Sequence, residues 1–559
     1  MDSGTGIQAH GLAVRVRAEG GWKTLLSGIQ LDIAAGQFIA VIGASGCGKS
    51  TLLKTLAGIQ RPSEGEVFLA GHAVEPLRQQ FPLAVGYLPQ FGAFHPELTV
   101  AENLEIAVAL RLPRMVSPEI KRNWVRHIVQ VARIDGLLSQ RYQTLSGGQM
   151  RRMALAEELI GDPAFLFLDE LTSGLDAYSD QEMMLWLREL AHGLSKTVVL
   201  VTHATYHLDL CDKIAFLHQG RLVSYGAYDT LLEEQGVTSI TELFALCQNA
   251  PETLAEMSAV PAAEIPVPQP LKTAAPPSGF WQFPTVLLRQ LKLFARDRGQ
   301  LGLHAGLILI FPALVAVFAT HGLPQVRNQT LALESNILRT LQDQVLFMKE
   351  SFQAAALISG LAMFQVILLT LIGANNGSRE IAKEREVLDK ERRAGLSPIA
   401  YVTTKFAQIV VLCALQTFWM AWFVKTLCGF PGSLTAQAGI LFATTLAMST
   451  TCLAISAASP SPERASLLAI YLVGFQLPLS GAALALPDWL STLCRPFITA
   501  YWGWSGYLQT FAATRHFDIV KQTKDTFIAG YNLSLSVLGL HVILSLTAAW
   551  YFVHRRRRV

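Results

Sequence analysis

Residues 38–51 read FIAVIGASGCGKST, and this stretch decides the fold of the first part of the chain. Its first five residues are apolar and predict a buried strand, and the remainder follows the GxxxxGK[ST] pattern at the start of a helix. Glycines in such a turn let consecutive backbone N–H groups converge, and the helix N-terminus adds positive potential. The stretch therefore predicts a phosphate cradle, built from Gly43, Ser45, Gly46, Gly48, Lys49, Ser50 and Thr51.

Two side chains of this cradle have distinct predicted roles. Lys49 has the length and charge to reach the β and γ phosphates of a nucleotide, and Ser50 offers a hydroxyl to Mg²⁺. The pattern by itself leaves the reaction open.

A second apolar run, FLFL at 165–168, predicts another buried strand, and it ends in Asp169 and Glu170. This position puts two carboxylates at the mouth of the sheet beside the cradle. Asp169 is suited to holding Mg²⁺, directly or through water, and Glu170 to polarising the water that attacks a γ-phosphate. Two acids at a strand end are otherwise often only solvated, and the surrounding motifs decide between these alternatives.

The pentapeptide LSGGQ at 145–149 supplies that context, and with it the sequence resembles the ATPases of ABC transporters. The resemblance implies that this segment serves the γ-phosphate held by an opposite subunit, so that each active site is shared between two copies. The residues concerned are Ser146, Gly147, Gly148 and Gln149.

Three further matches follow in the order of this family. They are Gln90 in YLPQF, Asp176 at the end of SGLD and His203 in LVTHAT. The resemblance implies that Gln90 contacts Mg²⁺ or the attacking water and senses the membrane domain. It also implies that His203 contacts the γ-phosphate, which makes ATP the expected nucleotide and Mg²⁺ its expected metal.

The sequence departs from the family at two positions. Leu171 stands where proline usually follows the catalytic glutamate, and this change removes no chemical group, so hydrolysis is expected to survive. Trp22 is the aromatic residue nearest to the usual adenine-stacking position upstream of Lys49, and an ordinary surface or core aromatic is the alternative.

The chain of 559 residues exceeds the size of one hydrophobic core, and its composition changes along its length. Residues 1–248 alternate strand-like and helical runs, which predicts an α/β ATP-binding-cassette domain of the P-loop type. Residues 249–279 are rich in proline and alanine and predict a linker, and residues 280–559 predict an all-α polytopic membrane domain.

Six apolar runs in the last part each approach the ~20 residues that cross ~30 Å of hydrocarbon. They lie at about 303–319, 354–372, 399–424, 436–458, 466–486 and 533–553. Arginines and lysines between the second and third runs indicate a cytoplasmic loop, although basic residues between the fifth and sixth runs obey this rule less well. Buried core helices of a large soluble protein are the alternative.

Compartment and partners follow from charge and cysteine usage. A net charge of +3 gives no support for nucleic-acid binding, and the first twenty residues contain no apolar segment, so no cleaved signal peptide is expected. The ATPase domain is therefore expected in the cytoplasm, with the helices in a plasma membrane, in particular a bacterial inner membrane, among its lipids. Cys428 and Cys494 fall on the expected outer face, where a disulfide or two free thiols are the alternatives.

The last part resembles ABCG-like half-transporters in its domain order and in an amphipathic helix before the first span. It also shares a charged segment at 378–406, SREIAKEREVLDKERRAGLSPIAYVTTKF, which in this family would contact the ATPase domain. A solvated cytosolic helix is the alternative for that segment. The resemblance implies that ATP closes two ATPase domains and that closure reaches the spans through the amphipathic helix and this segment.

These inferences predict an ATP-driven exporter of lipid-like or amphipathic molecules that works as a dimer with a second half-transporter, favoured as a homodimer. The transported substrate is not identified by the sequence. Candidate cavity walls are Phe352, Phe364, Gln365, Phe475, Gln476 and Leu477, for which packing is the alternative. A subunit that pulls on an outer-face partner, with no cargo in its own spans, is the alternative function.

Overall fold

The structure is a computed structural model that describes residues 6–18, 21–90, 92–174, 176–249, 275–319, 323, 337–482, 486–524 and 526–555. The described residues form two compact units. The first contains the residues up to Thr285 together with Asp389–Ser397, and the second contains Val286–Leu388 and the residues from Pro398 onward. Most of the predicted linker, residues 250–274, lies outside the described residues.

Strands of the first unit form two sheets. The strands are β1 (Ile7–Ala18), β2 (Gly21–Ile33), β3 (Phe38–Gly43), β4 (Glu64–Leu69), β5 (His72–Ala73), β6 (Val85–Leu88), β7 (Phe165–Asp169), β8 (Thr197–Val201), β9 (Lys213–His218) and β10 (Arg221–Gly226). One sheet is antiparallel in the order β2-β1-β4-β5, and the other has the order β10-β9-β3-β8-β7-β6. In the second sheet only the β9–β10 pair is antiparallel.

The parallel strands are buried on both faces, which explains why they are apolar without alternation. Along β3, Phe38, Ala40 and Ile42 pack into one core, while Ile39 and Val41 pack into a second core on the opposite face. Strands β7 and β8 divide their side chains between the same two cores. This two-faced burial holds β3, β8 and β7 in fixed register, with Asp169 opposite Val201.

Helices cover this sheet and connect its strands. They are α1 (Lys49–Leu56), α2 (Val74–Gln80), α3 (Val100–Arg111), α4 (Pro118–Val131), α5 (Gly147–Leu159), α6 (Ala177–Gly193), α7 (Tyr228–Gln235) and α8 (Ile240–Asn249). Side chains fix the starts of several of them. Thr99 and Glu102 form a reciprocal capping box at α3, and Ser146 and Gln149 form another at α5.

The remaining described helices include long apolar ones and three short ones, α12, α16 and α18. They are α9 (Gly279–Arg296), α10 (Arg298–Val317), α11 (Ile337–Gly377), α12 (Arg385–Arg393), α13 (Pro398–Cys428), α14 (Leu434–Ala458), α15 (Pro462–Leu479), α16 (Asp488–Cys494), α17 (Thr499–Gln509), α18 (Arg515–Thr523) and α19 (Tyr531–Arg555). The predicted fold class, an α/β cassette followed by an all-α part, is confirmed.

Five of the described helical stretches are long and apolar enough to cross a membrane: Arg298–Val317, Gln344–Arg393, Pro398–Cys428, Leu434–Ala458 and Tyr531–Arg555. They contain four of the six predicted spans and overlap a fifth, 303–319, which runs two residues beyond Val317. The remaining predicted span, 466–486, corresponds to α15, which carries Glu463 and Arg464 in its first turn and ends at Leu479. The count of six spans stays a prediction.

The helix α9 buries polar side chains and exposes apolar ones. Arg289 and Gln290 are buried, whereas Leu288 and Leu291 are exposed. Gln290 donates a hydrogen bond to Glu384 at 3.0 Å. An exposed apolar stripe on a helix that is anchored through its polar face fits a position along a membrane surface.

The charged segment 378–406 is largely buried, so the alternative of a solvated helix is wrong. Lys405 is only 1% exposed, and its Nζ lies 3.1 Å from Glu380 and 3.0 Å from Glu384. Tyr401 donates a hydrogen bond to Glu384 at 3.1 Å. Burial of these charges is tolerated because each has an opposite charge or hydrogen-bond partner.

The two cysteines for which a disulfide was one alternative are both free thiols. Cys428 is buried at the end of α13, and Cys494 is partly exposed at the end of α16. The alternative of two separate thiols therefore describes the structure.

Candidate nucleotide site

The candidate site lies where three adjacent parallel strands end. Strand β8 lies between β3 and β7, so the loops after Gly43, Asp169 and Val201 meet at the same edge of the sheet. Ligands of open parallel sheets bind at this carboxyl edge. The sheet order thus brings together the cradle, the two carboxylates and His203.

The cradle has a backbone that requires glycine. Gly43, Gly46 and Gly48 have φ angles of 152°, 78° and 106°, which are unfavourable for other residues. A Cβ at Gly43 would also lie 2.2 Å from the carbonyl oxygen of Leu217. Ser45 and Gly46 are exposed at the rim of the turn.

Lys49 is a buried lysine whose ammonium group contacts the backbone of the cradle. Its side chain is 5% exposed, and its Nζ donates to the carbonyl oxygens of Gly43 at 2.8 Å and Ala44 at 3.0 Å. Burial lowers the pKa of Lys49, while the nearby Cys47, Glu170 and Asp169 act in the opposite direction. An incoming anion would replace the two carbonyl partners with a full negative charge.

Ser50 and Asp169 form the oxygen-rich side of the site. The Ser50 hydroxyl, in the first turn of α1, donates to Oδ1 of Asp169 at 3.0 Å. Burial raises the pKa of Asp169 above its ordinary value, and the hydrogen bond from Ser50 together with Lys54 and Lys49 opposes this shift. The next helical residue, Thr51, is half-buried in the same turn.

Glu170 is held between two other predicted site residues. Nε2 of Gln90 donates to its Oε2 at 2.6 Å, and Nε2 of His203 lies 2.9 Å from its Oε1. The backbone of Glu170 has a φ angle of 53°, a left-handed conformation that is uncommon for a residue other than glycine. Each carboxylate oxygen therefore has a polar atom of another loop within 3 Å, and the contact with Gln90 is a hydrogen bond.

The LSGGQ segment and Asp176 form local contacts at helix starts. The Ser146 hydroxyl accepts from the backbone N–H of Gln149 at 3.4 Å, and Asp176 accepts from Ser179 at 2.9 Å. Ser146 and Gly147 are exposed, and Gly148 and Gln149 are half-buried. Their N–H groups and hydroxyl thus lie at an exposed helix N-terminus.

The two departures from the family pattern have different surroundings. Leu171 is 2% exposed and belongs to the core of the first unit, so its side chain has a packing role. Trp22 is 75% exposed on β2, which excludes the core alternative and leaves the surface and adenine-stacking ones.

One cluster near the site was not predicted from the sequence. Glu157 and Glu158, on the C-terminal half of α5, are buried against Arg111 and Lys390. The signal that could have indicated it is the pair of adjacent acids within the apolar run MALAEELI. Buried charges in such a run require partners, which sequence spacing does not identify.

The site is a glycine-rich cradle at a strand-to-helix junction, and a hydroxyl, two carboxylates, an amide and an imidazole surround it. This combination defines a nucleotide-binding unit of the P-loop type. Two family profiles match the chain: one described as ABC transporter over residues 26–173, and one described as ABC-2 type transporter over residues 282–504. The chain belongs to the ABC transporter family.

Individual relatives agree with this assignment. The ABC transporter ATP-binding/permease protein Rv1747 of Mycobacterium tuberculosis is 32% identical over 408 residues, which cover 71% of this chain and 44% of that protein. The probable sulfate/thiosulfate import ATP-binding protein CysA of Chlorella vulgaris is 33% identical, with 40% of this chain and 92% of that protein covered.

The name of a third relative refers to export, whereas the name of the Chlorella relative refers to import. The Nod factor export ATP-binding protein I of Rhizobium meliloti is 34% identical, with 40% of this chain and 66% of that protein covered. The chain spans less than half the length of the Mycobacterium relative.

Proposed function

We propose that this chain is an ATP-driven transporter subunit in which ATP hydrolysis in the first unit drives movement of a substrate by the apolar helices. The observation that carries this proposal is the convergence of Gln90 and His203 on Glu170 beside the cradle. These three residues come from three separate loops. Their convergence is suited to the control of one attacking water molecule.

In this proposal Glu170 accepts the proton of the attacking water, and His203 contacts the γ-phosphate. Lys49 exchanges its two carbonyl partners for the β and γ phosphates, which cancels the cost of its buried charge. The backbone N–H groups of the turn, with Gly46 and Gly48, hold the remaining phosphate oxygens. Trp22 is the proposed stacking partner of the adenine.

Ser50, Asp169 and Gln90 are the residues that would hold Mg²⁺. A hydroxyl, a carboxylate and an amide oxygen are the hard ligands that this ion prefers, and the first two already lie 3.0 Å apart. No cluster of three or more acidic, histidine or cysteine residues suited to a metal occurs among the described residues. Mg²⁺ does not need one, since phosphates and waters complete its shell, and it would neutralise charge developing on the phosphate.

The chain is proposed to act as a homodimer. Ser146, Gly147 and Gly148 present donors at the exposed start of α5, and Asp176 lies at the start of α6. A two-fold arrangement would bring these donors to the γ-phosphate held by the second copy, so two copies would complete two sites.

Export of lipid-like or amphipathic molecules across a bacterial inner membrane is the proposed direction and cargo. Of the candidate cavity walls, Phe352 and Phe475 are 62% and 60% exposed, and Leu477 is 41% exposed. Gln365 and Gln476 are fully buried, which favours packing for them, and Gln476 accepts from the backbone of Ala500 at 2.9 Å. The exposed candidates are therefore apolar.

The test is Mg²⁺-dependent ATP hydrolysis by the purified chain in lipid nanodiscs, compared with its Glu170→Gln variant. We expect the variant to lose roughly 10²- to 10⁴-fold in kcat with little change in ATP affinity, since it lacks only the base. Glu119→Gln, an exposed glutamate on α4, is the matched control. A panel of lipids and amphipathic compounds then identifies the class that changes the wild-type rate.

Two results would count against this proposal. Equal rates of the wild type and Glu170→Gln would exclude Glu170 as the base. Hydrolysis that no compound changes, while the outer face captures a partner protein, would favour the subunit that pulls on such a partner.

A further inference from the structure

The loop that follows Gln90 is fixed by packing rather than free. The Tyr142 hydroxyl donates to the carbonyl oxygen of Gly92 at 3.4 Å, and the rings of Phe94 and Tyr142 are in contact, with their centroids 4.5 Å apart and their planes tilted by 30°. Ala93 is 8% exposed. A displacement of this loop would therefore move the backbone that carries Gln90.

Lys390 is the cation that holds this loop. Its side chain is 6% exposed, and its Nζ donates to the carbonyl oxygen of Ala93 at 2.5 Å. The same Nζ lies 3.7 Å from the ring centroid of Phe94, in a cation–π contact. Lys390 belongs to the first unit, but in the sequence it lies between the apolar helices α11 and α13.

The other partner of Lys390 is on the helix that begins at the LSGGQ segment. Its Nζ lies 2.9 Å from Oε2 of Glu157, and Arg111 lies 3.2 Å from Oε1 of the same carboxylate. Arg111 also pairs with Glu158 at 3.1 Å. One ammonium thus joins the Gln90 loop to α5.

We propose that Lys390 is a positioning residue for ATP hydrolysis, which keeps the amide of Gln90 on Glu170 and so holds the reaction in a resting state. Gln90 and His203 lie within 3 Å of the two oxygens of Glu170, so they compete with an attacking water for positions on the same carboxylate. Withdrawal of Lys390 from Ala93 loosens the loop and frees the oxygen that Gln90 occupies. The inference rests on the proposed function, because it assigns Glu170 as the base.

The experiment compares Lys390→Met with Lys383→Met in the full chain in nanodiscs. Both substitutions remove one lysine from the same charged segment, but the Lys383 side chain is 41% exposed. We expect Lys390→Met to raise the basal kcat roughly three- to tenfold, where tenfold corresponds to ~1.4 kcal/mol, with KM for ATP within about twofold. Lys390→Arg should restore the wild-type rate, and Lys383→Met should match it.

A second variant and a second measurement guard against a folding defect. Glu157→Gln combined with Lys390→Met removes both charges of the pair, so no new unpaired carboxylate remains. Hydrogen–deuterium exchange of residues 92–95 should speed up in Lys390→Met and in the double variant, and not in Lys390→Arg or Lys383→Met.

The inference is overturned if folded Lys390→Met and the double variant turn over ATP at or below the wild-type rate, or if exchange at 92–95 is unchanged in both. Failure of the proposed function looks different, since the wild type would then not hydrolyse ATP or would equal Glu170→Gln. The exchange measurement still reports on Lys390 in that case.

Discussion

Two glycine-to-alanine substitutions in the cradle, two residues apart, separate backbone strain from steric clash. Gly46 and Gly48 both have positive φ angles, 78° and 106°. A Cβ at Gly46 would meet nothing within 4 Å, whereas a Cβ at Gly48 would lie 2.8 Å from the carbonyl oxygen of Leu25 and 2.9 Å from a methyl of Leu26. Leu25 and Leu26 belong to β2, which pairs along its length with β1.

The expected magnitudes follow from these distances. A side chain at positive φ costs ~1–2 kcal/mol, and both variants carry this cost. Overpacking adds ~1–3 kcal/mol at Gly48 alone, because the nearest atom is backbone and the strand cannot shift freely. Gly46→Ala should therefore lower the unfolding free energy of the first unit by ~1–2 kcal/mol and Gly48→Ala by ~2–5 kcal/mol.

Thermal unfolding of the two purified variants, followed by intrinsic fluorescence with and without ATP, measures the difference. At ~2–4 °C per kcal/mol for a domain of this size, Gly46→Ala should lower Tm by roughly 2–8 °C, and Gly48→Ala by clearly more. Stabilisation by added ATP should be weaker in Gly48→Ala, because the strand and the turn must separate to accept the methyl group. Equal losses of Tm, or a larger loss in Gly46→Ala, would refute this account of the cradle.

Three further substitutions test the surroundings of the site and of the charged segment. Asp169→Asn should raise the Tm of the nucleotide-free protein at pH 7, because burial raises the pKa of Asp169 and so disfavours its ionised form in the folded chain. The cost of the buried ionised carboxylate is present above the ordinary pKa of an aspartate and disappears as pH falls. The Tm difference between the variant and the wild type should therefore shrink from pH 7 toward pH 4. A difference that stays constant would contradict the raised pKa of Asp169. Trp22→Ala should raise KM for ATP about fivefold or more, given ~1–3 kcal/mol for base stacking, at an unchanged Tm because the side chain is exposed. An unchanged KM would leave Trp22 as a surface aromatic. Lys405→Met should lower the unfolding free energy by ~3–5 kcal/mol, because it leaves Glu380 and Glu384 buried without their ammonium. The exposed Lys383→Met should lower it by less than ~1 kcal/mol. Similar losses for the two variants in a denaturation assay would contradict this expectation.

The elements around the nucleotide site could be predicted because local patterns encode them. Apolar runs of four or five residues indicated β3 and β7, and the GxxxxGK[ST] pattern indicated the turn into α1. The meeting of Gln90 with Glu170 depends instead on the sheet order, in which β6 pairs with β7. Strand order is a property of long-range pairing, and no local pattern contains it.

Buried charges were the least predictable feature. Lys390 and Glu157 are 233 positions apart in the chain, and each by itself has the composition of a solvated surface. The same limit affects the spans. In the structure α15 begins at Pro462 and has Glu463 and Arg464 in its first turn. The apolar run alone placed the start of the span four residues later, at 466, and extended it past Leu479.

In the cluster of Arg111, Glu157, Glu158 and Lys390, the charge balance of the nucleotide-binding unit depends on a lysine that lies outside residues 1–249. A truncated chain that ends with α8 would lack Lys390 and would leave Arg111 as the one remaining cation of this cluster beside two carboxylates. Such a net negative charge costs several kcal/mol in a buried setting, so the shortened protein should be prone to misfold unless Glu157 is neutralised. Over evolutionary time the same balance links two distant positions, and a loss of charge at 390 should be accompanied by a loss of charge at 157.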